Sequence, residues 1–415
     1  MQQLYTVIKH QKVSQLKSNK IQLSHLNLLF LNFVAVIACT INVNKDIREP
    51  QPLLLQPGLS KIFYPSDKRG IVELEIGQEI ELVCTKGFSS PLVVETSINA
   101  KCSTDNKFTV NGVAYFFNDF YCKAYPVSIP RKTGNTCYNG AAEIEIGFDL
   151  TTRFIRTILV CHDLVKEETH YTKYVLTPAN DGFQTGFPRP NFITSGFFGG
   201  KNVDKLYSRD TQRETIAGLI GSYDLAKKYI EATSDIFMAR GHLAAKADFI
   251  YGNEQRATFF FLNTCPQWQR FNAINWVAVE DGSRVLASSR NINLDVYTGS
   301  FGVMGLKDAS ENDVDIYLYV NGKIRQIPVP KLFYKLLHDK ENDSGVVLIG
   351  VNNPHLTLEQ IKKDYIICTD VSEKITYIKW NKDDIQKGFS YACEINDFLK
   401  NVQHISPLNV KNLLI

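Results

Sequence analysis

Three side chains in one short stretch of this sequence could together assist the hydrolysis of a phosphate ester. Arg240 and His242 flank Gly241, and Asn272 lies further along the same stretch. Such a reaction near neutral pH needs a base that activates water, a cation that offsets charge on phosphorus, and help for the departing oxygen. Histidine, arginine and a metal ion held by the asparagine amide could supply these needs. The stretch therefore predicts a site that cleaves phosphodiesters.

The residues between these side chains predict a strand and then a helix. Ala257–Leu262 is a short, aromatic-rich apolar run, which favours a buried strand. Pro266 suits the first turn of a helix with Thr264 as its cap, and helix-forming residues continue through Ala287. A strand followed by a helix would therefore position the amide relative to the histidine.

The predicted helix carries four functional side chains at steps of four residues. These are Asn272, Trp276, Glu280 and Arg284. Such steps drift slowly around a helix, so the four side chains would share one broad face. A solvated polar face is the alternative interpretation, and Gly282 weakens the helical prediction near its end.

These motifs resemble those of the DNA/RNA non-specific endonuclease family, the Serratia-type ββα-metal nucleases, and within it the secreted arthropod double-stranded ribonucleases. In that family an Asp-Arg-Gly-His motif carries the general base. An Asn-x-x-Pro-Gln element then leads into a helix whose later asparagine is the sole protein ligand of magnesium. Asn263–Gln267 matches that element, and Phe271-Asn272 matches the metal position. Ala239 departs from the motif's aspartate, which affects the orientation of supporting groups rather than the chemistry.

The resemblance implies a role for each matching residue. His242 would be the base, Asn272 the magnesium ligand and Glu280 the group that orients metal-bound water. Asn263 would be a supporting hydrogen-bonding residue. Phosphate contacts would come from Arg240, from Arg284 and Lys246, and from an upstream arginine, for which Arg209 is the best placed candidate and Arg213 its rival.

The metal expected from these donors is magnesium, for which manganese could substitute. A single amide suits an ion that keeps most of its waters, whereas zinc and calcium prefer several thiolate, imidazole or carboxylate donors. The chain also has no Gly-x-x-x-x-Gly-Lys, His-Glu-x-x-His or Gly-x-Ser-x-Gly motif. The sequence therefore gives no support for a phosphate-binding loop, a zinc-binding helix or a nucleophilic serine turn.

Residues 1–39 have the pattern of a signal peptide. Their first part carries lysines and no acidic residue, and an apolar run then extends from Leu26 to Cys39. We expect cleavage near Ala38 or Cys39 and a secreted, extracellular protein. The run is short for a membrane span, although a signal anchor is the alternative.

Removing residues 1–39 takes away four lysines and lowers the net charge from +3 to −1. The mature chain is therefore not basic overall, and nucleic acid would have to bind in a local positive cleft. Candidates for that cleft are Lys201, Lys205, Arg209, Arg213, Lys246, Arg256 and Arg270.

The cysteine content agrees with secretion. The chain has nine cysteines, of which Cys39 falls at the end of the predicted signal peptide. The remaining even number predicts up to four disulfides, with Cys137–Cys161 as the preferred pair because these residues flank two predicted strands. The sequon Asn342-Asp343-Ser344 offers one glycosylation site.

The remaining pattern predicts an α+β fold with a central antiparallel sheet flanked by helices. Val72–Cys84 alternates apolar and acidic residues around Gly77, which is typical of a hairpin. Further strands are predicted at 143–148, 153–161, 169–176, 315–320 and 377–380, and a helix at 211–233 that Gly218 or Gly221 could break. The predicted domains are a strand-rich module at 40–135 and the endonuclease domain at 136–415.

The sequence thus predicts a secreted, magnesium-dependent endonuclease that cleaves double-stranded RNA, DNA or both with little sequence preference. No stable membrane association is expected, and the oligomeric state stays open. One alternative is a catalytically weak, secreted nucleic-acid-binding protein of the same fold. Another is a phosphodiesterase of small nucleotides.

Overall fold

The computed structural model describes residues 37–415 apart from residues 90, 91, 93, 94 and 409. Ile37–Ile415 form one compact unit. The predicted signal peptide lies outside the described residues except for residues 37–39. None of the helices among the described residues is both long and apolar enough to cross a membrane.

Short strands make up the N-terminal part of the described chain. They are β1 (Ile37–Asn42), β2 (Leu53–Leu55), β3 (Ile71–Glu75), β4 (Glu79–Val83), β5 (Ser97–Cys102), β6 (Phe108–Val110) and β7 (Val113–Tyr115). β1 pairs with β3, and a five-stranded sheet has the order β2-β4-β5-β6-β7. Val72, Leu74, Ile80 and Leu82 are fully buried between these strands, because their alternation places them on the side facing the core.

The predicted hairpin at Val72–Cys84 is wrong in its pairing. The chain does turn at Gly77, whose φ is +85°, and strands lie on both sides of it. However, β3 pairs with β1, whereas β4 pairs with β2 and β5. Alternation identifies the buried side of a strand but not its hydrogen-bonding partner, so the sequence pattern could not reveal this.

The rest of the chain contributes the larger number of strands. They are β8 (Ser128–Thr136), β9 (Ala142–Asp149), β10 (Phe154–Asp163), β11 (Glu168–Leu176), β12 (Met238–His242), β13 (Thr264–Trp268), β14 (Leu294–Val303), β15 (Gly305–Lys307), β16 (Asp313–Asp315), β17 (Tyr317–Asn321), β18 (Ile324–Pro328), β19 (Pro330–Asp339), β20 (Ser344–Val351), β21 (Ser390–Cys393) and β22 (Asn412–Leu413). The strands predicted at 143–148, 153–161 and 169–176 are confirmed as β9, β10 and β11.

A nine-stranded sheet forms the centre of the molecule, in the order β21-β20-β19-β14-β11-β10-β9-β8, with β22 beside β20. Neighbours along this order are antiparallel, and only β22 pairs in parallel among the described strands. The predicted boundary between residues 135 and 136 falls inside β8, which pairs with β9. The edge of this sheet therefore begins before that boundary, at Ser128.

The α-helices are short except for two. They are α1 (Val203–Leu206), α2 (Arg209–Ile220), α3 (Tyr223–Tyr229), α4 (Gly252–Ala257), α5 (Gln269–Ala273), α6 (Asn275–Arg290), α7 (Leu358–Asp364) and α8 (Ile395–Phe398). The helix predicted at 211–233 is interrupted at Gly221, which ends α2 with a left-handed φ of 71°. A glycine is favoured there because side chains make this conformation costly.

Helices cover both sides of the central sheet. Ile216 of α2 and Leu286 of α6 belong to one apolar cluster with Ile158 and Val296 of the sheet. Ile361 of α7 and Phe398 of α8 pack against the opposite side of the same sheet. The predicted α+β class, with a central antiparallel sheet flanked by helices, is confirmed.

Several local predictions around the histidine motif are wrong. Ala257–Leu262 is not a strand, since it contains the end of α4 and leads into a single 3-10 turn. Thr264 and Pro266 lie in β13 rather than at the start of a helix. Residues 377–380 are also not a strand. There, Ile378 packs so closely on α6 that a Cβ on Gly282 would lie 2.4 Å from its Cδ1.

Four disulfides are present among the described residues, and they correct the expected set of paired cysteines. Cys137–Cys161 is confirmed, and Cys84–Cys122 and Cys368–Cys393 are the second and third pairs. Cys39, expected at the end of the signal peptide, is buried in β1 and bonded to Cys102. Cys265 is the free cysteine among the described residues. Cleavage after Cys39 would remove the Cys39–Cys102 disulfide.

Candidate active site

The Arg-Gly-His segment is one strand of a two-stranded ladder. β12 pairs with β13 so that Arg240 faces Pro266 and His242 faces Thr264. A Cβ on Gly241 would lie 2.3 Å from Oε1 of Gln267 and 3.1 Å from the carbonyl oxygen of Cys265. Only glycine fits this close approach, so Gly241 allows the ladder to form and fixes the backbone on both sides of it.

Asn263 holds the segment that follows the histidine. Its Oδ1 accepts a hydrogen bond from the Ala244 amide at 2.8 Å, and its Nδ2 donates to the carbonyl oxygens of Ala244 and Thr258, each at 2.9 Å. The side chain is fully buried and satisfies backbone groups that would otherwise lie unpaired in the interior. The structure thus places Asn263 behind the site, where it orients backbone rather than facing solvent.

Asn272 and Glu280 come from two helices rather than the single predicted one. α5 ends at Ala273, and Ile274, with φ −120° and ψ −82°, separates it from α6. Trp276 is buried in the core and therefore does not share an exposed face with the other two. The ladder of β12 and β13 followed by these helices gives the ββα arrangement.

A cleft of about 220 Å³ opens where these elements meet. It brings together five of the predicted residues, namely Arg240, His242, Lys246, Asn272 and Glu280. Arg189, which sequence reasoning missed, also lines it. This arginine lies between Pro188 and Pro190, and a cation between two prolines was the available signal, because such a segment is conformationally restricted.

His242 lines the cleft and packs against two aromatic rings. Its ring centroid is 5.1 Å from that of Phe192 and 5.0 Å from that of Phe259. Its Nε2 has no hydrogen-bond partner within the described part of the chain. Burial, together with the positive charges of Arg189 and Lys246, lowers the pKa of His242 to about 3. The imidazole is therefore neutral near pH 7 and has a free nitrogen.

Glu280 has the opposite shift. Burial is the main cause that raises its pKa to about 7, with a further contribution from the negative charge of Asp248. Asp248 is fully buried and accepts hydrogen bonds from Lys335 at 2.7 Å and Arg284 at 2.6 Å. The negative charge of Asp248 behind the cleft thus makes Glu280 harder to ionise.

The cations of the cleft are held in place by neutral or acidic groups. Arg240 donates to Asp204 at 2.7 Å, and Lys246 donates to the carbonyl oxygen of Phe187 at 2.7 Å. Arg189 is exposed and lies over the ring of Phe259, 5.2 Å from its centroid. Burial and the charge of Arg189 lower the pKa of Lys246. Three cations around a neutral imidazole form a positive pocket for an anionic group.

Two predicted phosphate contacts are not in this cleft. Arg284 is buried and bonded to Asp248 and Asp281, so its charge is already compensated inside the protein. Arg209 donates to the carbonyl oxygen of Glu231 and lies over the ring of Phe237. Its rival Arg213 is also buried, with bonds to Ile230 and Asp210. Position along the sequence could not show that these arginines have internal partners.

The donors of the cleft fit a hydrated divalent cation. Neither the amide of Asn272 nor the carboxylate of Glu280 has a hydrogen-bond partner within the described residues, so both are available as oxygen donors. Across residues 37–415, with the gaps stated above, no group of three or more histidine, cysteine, aspartate or glutamate residues could hold a metal. Magnesium, which keeps several waters, suits this sparse oxygen set, whereas a site built entirely from protein ligands does not.

Comparison with known proteins gives a consistent result. The family model described as DNA/RNA non-specific endonuclease matches residues 139–398. The salivary endonuclease of Lutzomyia longipalpis is 27% identical over 384 residues, which is 90% of this chain and 86% of that protein. Salivary protein Tsal1 of Glossina morsitans morsitans is 24% identical over 345 residues, covering 81% of this chain and 82% of that protein.

One solved structure with some likeness is that of the EndoG/EndoGI complex. It is 16% identical in sequence, covers 62% of this chain and 87% of that chain, and has a TM-score of 0.37.

Proposed function

The chain belongs to the DNA/RNA non-specific endonuclease family and is a nuclease of the hydrolase class, and from this premise we propose that it is a secreted, magnesium-dependent endonuclease. Its proposed substrates are double-stranded RNA, DNA or both, cleaved with little sequence preference. The observation that supports this most is the cleft in which Arg240, His242, Lys246, Asn272 and Glu280 converge. A nucleic-acid phosphate is the anion that such a family site would accept.

In the proposed reaction, His242 accepts a proton from the attacking water, which must reach the buried and unpartnered Nε2. The imidazole must be neutral to accept this proton, and the low pKa of His242 in the substrate-free protein keeps it neutral. A phosphodiester bound beside Arg189 and Lys246 offsets the two charges that lower this pKa. Substrate binding would therefore remove the smaller, electrostatic part of this pKa shift and make the imidazole a better base, while burial, the larger cause, remains.

The other side chains bind and orient. Arg240, Arg189 and Lys246 surround the phosphate and stabilise the additional negative charge of the transition state. Asn272 and Glu280 would hold the hydrated ion, with Glu280 orienting water. A bound magnesium ion would supply positive charge that offsets the negative charge developing in the reaction, and manganese could replace it. Asn263 keeps the backbone after His242 in place.

Secretion is supported by the cysteines and by the relatives. Four disulfides are typical of proteins that fold in oxidising compartments, and the similar proteins are described as salivary. We propose that residues 1–36 contain the signal peptide and that cleavage leaves Cys39 in the mature chain. Asn342, the proposed glycosylation site, is exposed in the turn between β19 and β20.

A gel assay of the mature protein tests this function. Double-stranded RNA, double-stranded DNA and both single strands would each be incubated with magnesium, with chelator, and with chelator followed by excess magnesium. We expect cleavage that chelator abolishes and magnesium restores. Asn272→Ala should behave like the chelated protein, whereas Asn321→Ala, which changes an exposed asparagine at the end of β17, should cleave normally.

The same assay separates the alternatives. Binding of duplexes without cleavage would identify a nucleic-acid-binding protein, and cleavage restricted to dinucleotides would identify a phosphodiesterase of small nucleotides. Cleavage that continues in excess chelator would contradict the metal dependence.

A further inference from the structure

A second and larger groove lies where the N-terminal part meets the central sheet. Its volume is about 750 Å³, compared with about 220 Å³ for the active-site cleft. Lys61 and Tyr64 line it from the N-terminal part, and Arg156, Lys173 and Val175 line it from β10 and β11. We name it the Lys61 groove. It exists because residues 56–64 lie beside the sheet.

The charge of the Lys61 groove is positive. Lys61, Arg156 and Lys173 line it, and no aspartate or glutamate of the described chain does. Lys173 lies 3.6 Å from Asp295, and Arg156 lies 3.9 Å from Glu145. Ion pairs of this length at a surface contribute little, so both cations remain available to a more strongly bound anion.

Lys61 and the hydroxyl groups add to this anionic preference. In the described part of the chain Lys61 has no ion pair, and Oγ1 of Thr157 is buried without a hydrogen-bond partner. Ser60 and Thr177 also line the groove. Lysine, arginine and hydroxyl groups are the side chains that contact the phosphates and sugars of a nucleic-acid backbone without reading its sequence.

One short segment of the chain contributes lining residues to both the active-site cleft and the Lys61 groove. Ala245, Lys246 and Ala247 line the active-site cleft, while Phe249 lines the groove. Since consecutive Cα atoms are about 3.8 Å apart, the Cα atoms of Lys246 and Phe249 lie within about 11 Å of each other. Lys173 lies over Tyr297 on the sheet face opposite α6, so only a polymer that passes around the strand ends would contact both places.

We propose that the Lys61 groove binds backbone phosphates of the nucleic-acid substrate away from the bond that is cleaved. This inference rests on the proposed function for the identity of the polymer. It gives the N-terminal part a role in substrate binding and favours long substrates over dinucleotides.

The test replaces the three cations together, as Lys61→Ala, Arg156→Ala and Lys173→Ala. Binding of a fluorescein-labelled DNA duplex is measured in chelator over a range of salt concentrations. Affinity decreases with salt, and each lost phosphate contact makes the slope of log affinity against log salt shallower by about 0.9. The magnitude of the slope should therefore decrease by about 2 to 3 in the triple variant. The matched control, Lys362→Ala, Lys363→Ala and Lys379→Ala, removes the same charge from exposed positions and should keep the slope.

Activity gives the second measurement. The triple variant should show a raised KM on long duplexes and an unchanged kcat/KM on bis(4-nitrophenyl) phosphate, which reaches only the active-site cleft. A variant slope equal to that of the wild type, or a control slope that falls equally, would overturn the proposal. A loss of heparin binding with duplex binding unaffected would also overturn it, because the groove would then accept sulfated glycans.

Failure of the proposed function has a different signature. A wild-type protein that cleaves neither substrate but binds duplex with a slope that the triple variant reduces would refute the nuclease mechanism and support the groove.

Discussion

His242 and Glu280 face one cleft with pKa values that move apart. Burial is the leading cause of both shifts, which lower the pKa of the histidine to about 3 and raise that of the glutamate to about 7. Both shifts favour the uncharged form, so near pH 7 the imidazole is neutral and Glu280 is about half ionised beside Arg189, Arg240 and Lys246. Titratable groups whose environments separate their pKa values are typical of sites that divide acid and base roles. The negative charge of the substrate completes this arrangement.

Glu280→Gln tests the electrostatics at this scale. The pKa of Glu280 in the folded state is about 7, above its usual 4.5, so the folded state binds the proton more tightly than the unfolded state. Stability contributed by this group is therefore full at low pH and is lost as pH rises from about 4.5 to 7. Glutamine cannot ionise, so the variant should lack this loss. Urea unfolding of both proteins at about pH 5 and pH 8 measures this difference in the free energy of unfolding.

The exposed Glu359→Gln in α7 is the matched control and should keep the wild-type pH dependence. If Glu280→Gln unfolds with the same pH dependence as the wild type, Glu280 is not perturbed as described.

The site depends on the ββα arrangement of β12, β13 and the helices that follow. The sequence could predict the residues of this site better than their secondary structure. The motif residues Arg240, His242, Asn272 and Glu280 were predicted from their types and spacing, and the cleft contains all four. Their functional roles stay predictions. The secondary structure around them was predicted less well, because the aromatic run at residues 257–262 is buried by tertiary packing rather than by strand pairing.

Long-range partners account for the remaining errors. Arg284 has the side-chain type and the spacing expected of a phosphate contact, but it forms ion pairs with Asp248 and Asp281 inside the protein. Cys39 resembles the end of a signal peptide, but its partner Cys102 lies far away in the sequence. Local patterns describe periodicity and motif chemistry, whereas the partner of a charge, strand or thiol depends on the complete fold.

Two glycine substitutions test the ladder of β12 and β13. Gly241→Ala places a Cβ 2.3 Å from Gln267, so it should destabilise the protein by about 1–3 kcal/mol through overpacking. Gly218→Ala in α2 meets nothing within 4 Å and should stabilise by about 0.5–1 kcal/mol, because alanine favours a helix interior. Chemical denaturation of both variants measures the difference. Equal stability of the two would contradict the described packing around Gly241.

At the scale of the whole molecule, the N-terminal part is continuous with the nuclease fold. Leu53 and Val83 belong to the same apolar cluster as the central sheet. Asn253 of α4 donates to the backbone oxygens of Gln51 and Pro52 at 3.0 and 3.2 Å. These buried contacts explain why Ile37–Ile415 form one compact unit, so the N-terminal part is integral to the fold around the site.

Mass spectrometry of the secreted protein tests the compartment and the disulfides. The mature N-terminus should lie before Cys39, and non-reducing peptide maps should show Cys39 linked to Cys102. Cys265 should be the free thiol and should react only after unfolding, because it is buried. A mature chain that begins after Cys39, or an intact Met1, would contradict the proposed processing.

The central claim is that the cleft around His242 performs phosphodiester hydrolysis, and His242→Ala tests it most directly. Turnover of double-stranded RNA and DNA by this variant should fall by at least about a hundredfold, the lower range for loss of a general base. Duplex affinity in chelator should stay close to that of the wild type, whereas the lost packing against Phe192 and Phe259 should lower the thermal unfolding midpoint of a protein that remains folded. A folded His242→Ala protein that cleaves polymeric substrate at nearly the wild-type rate would contradict the account.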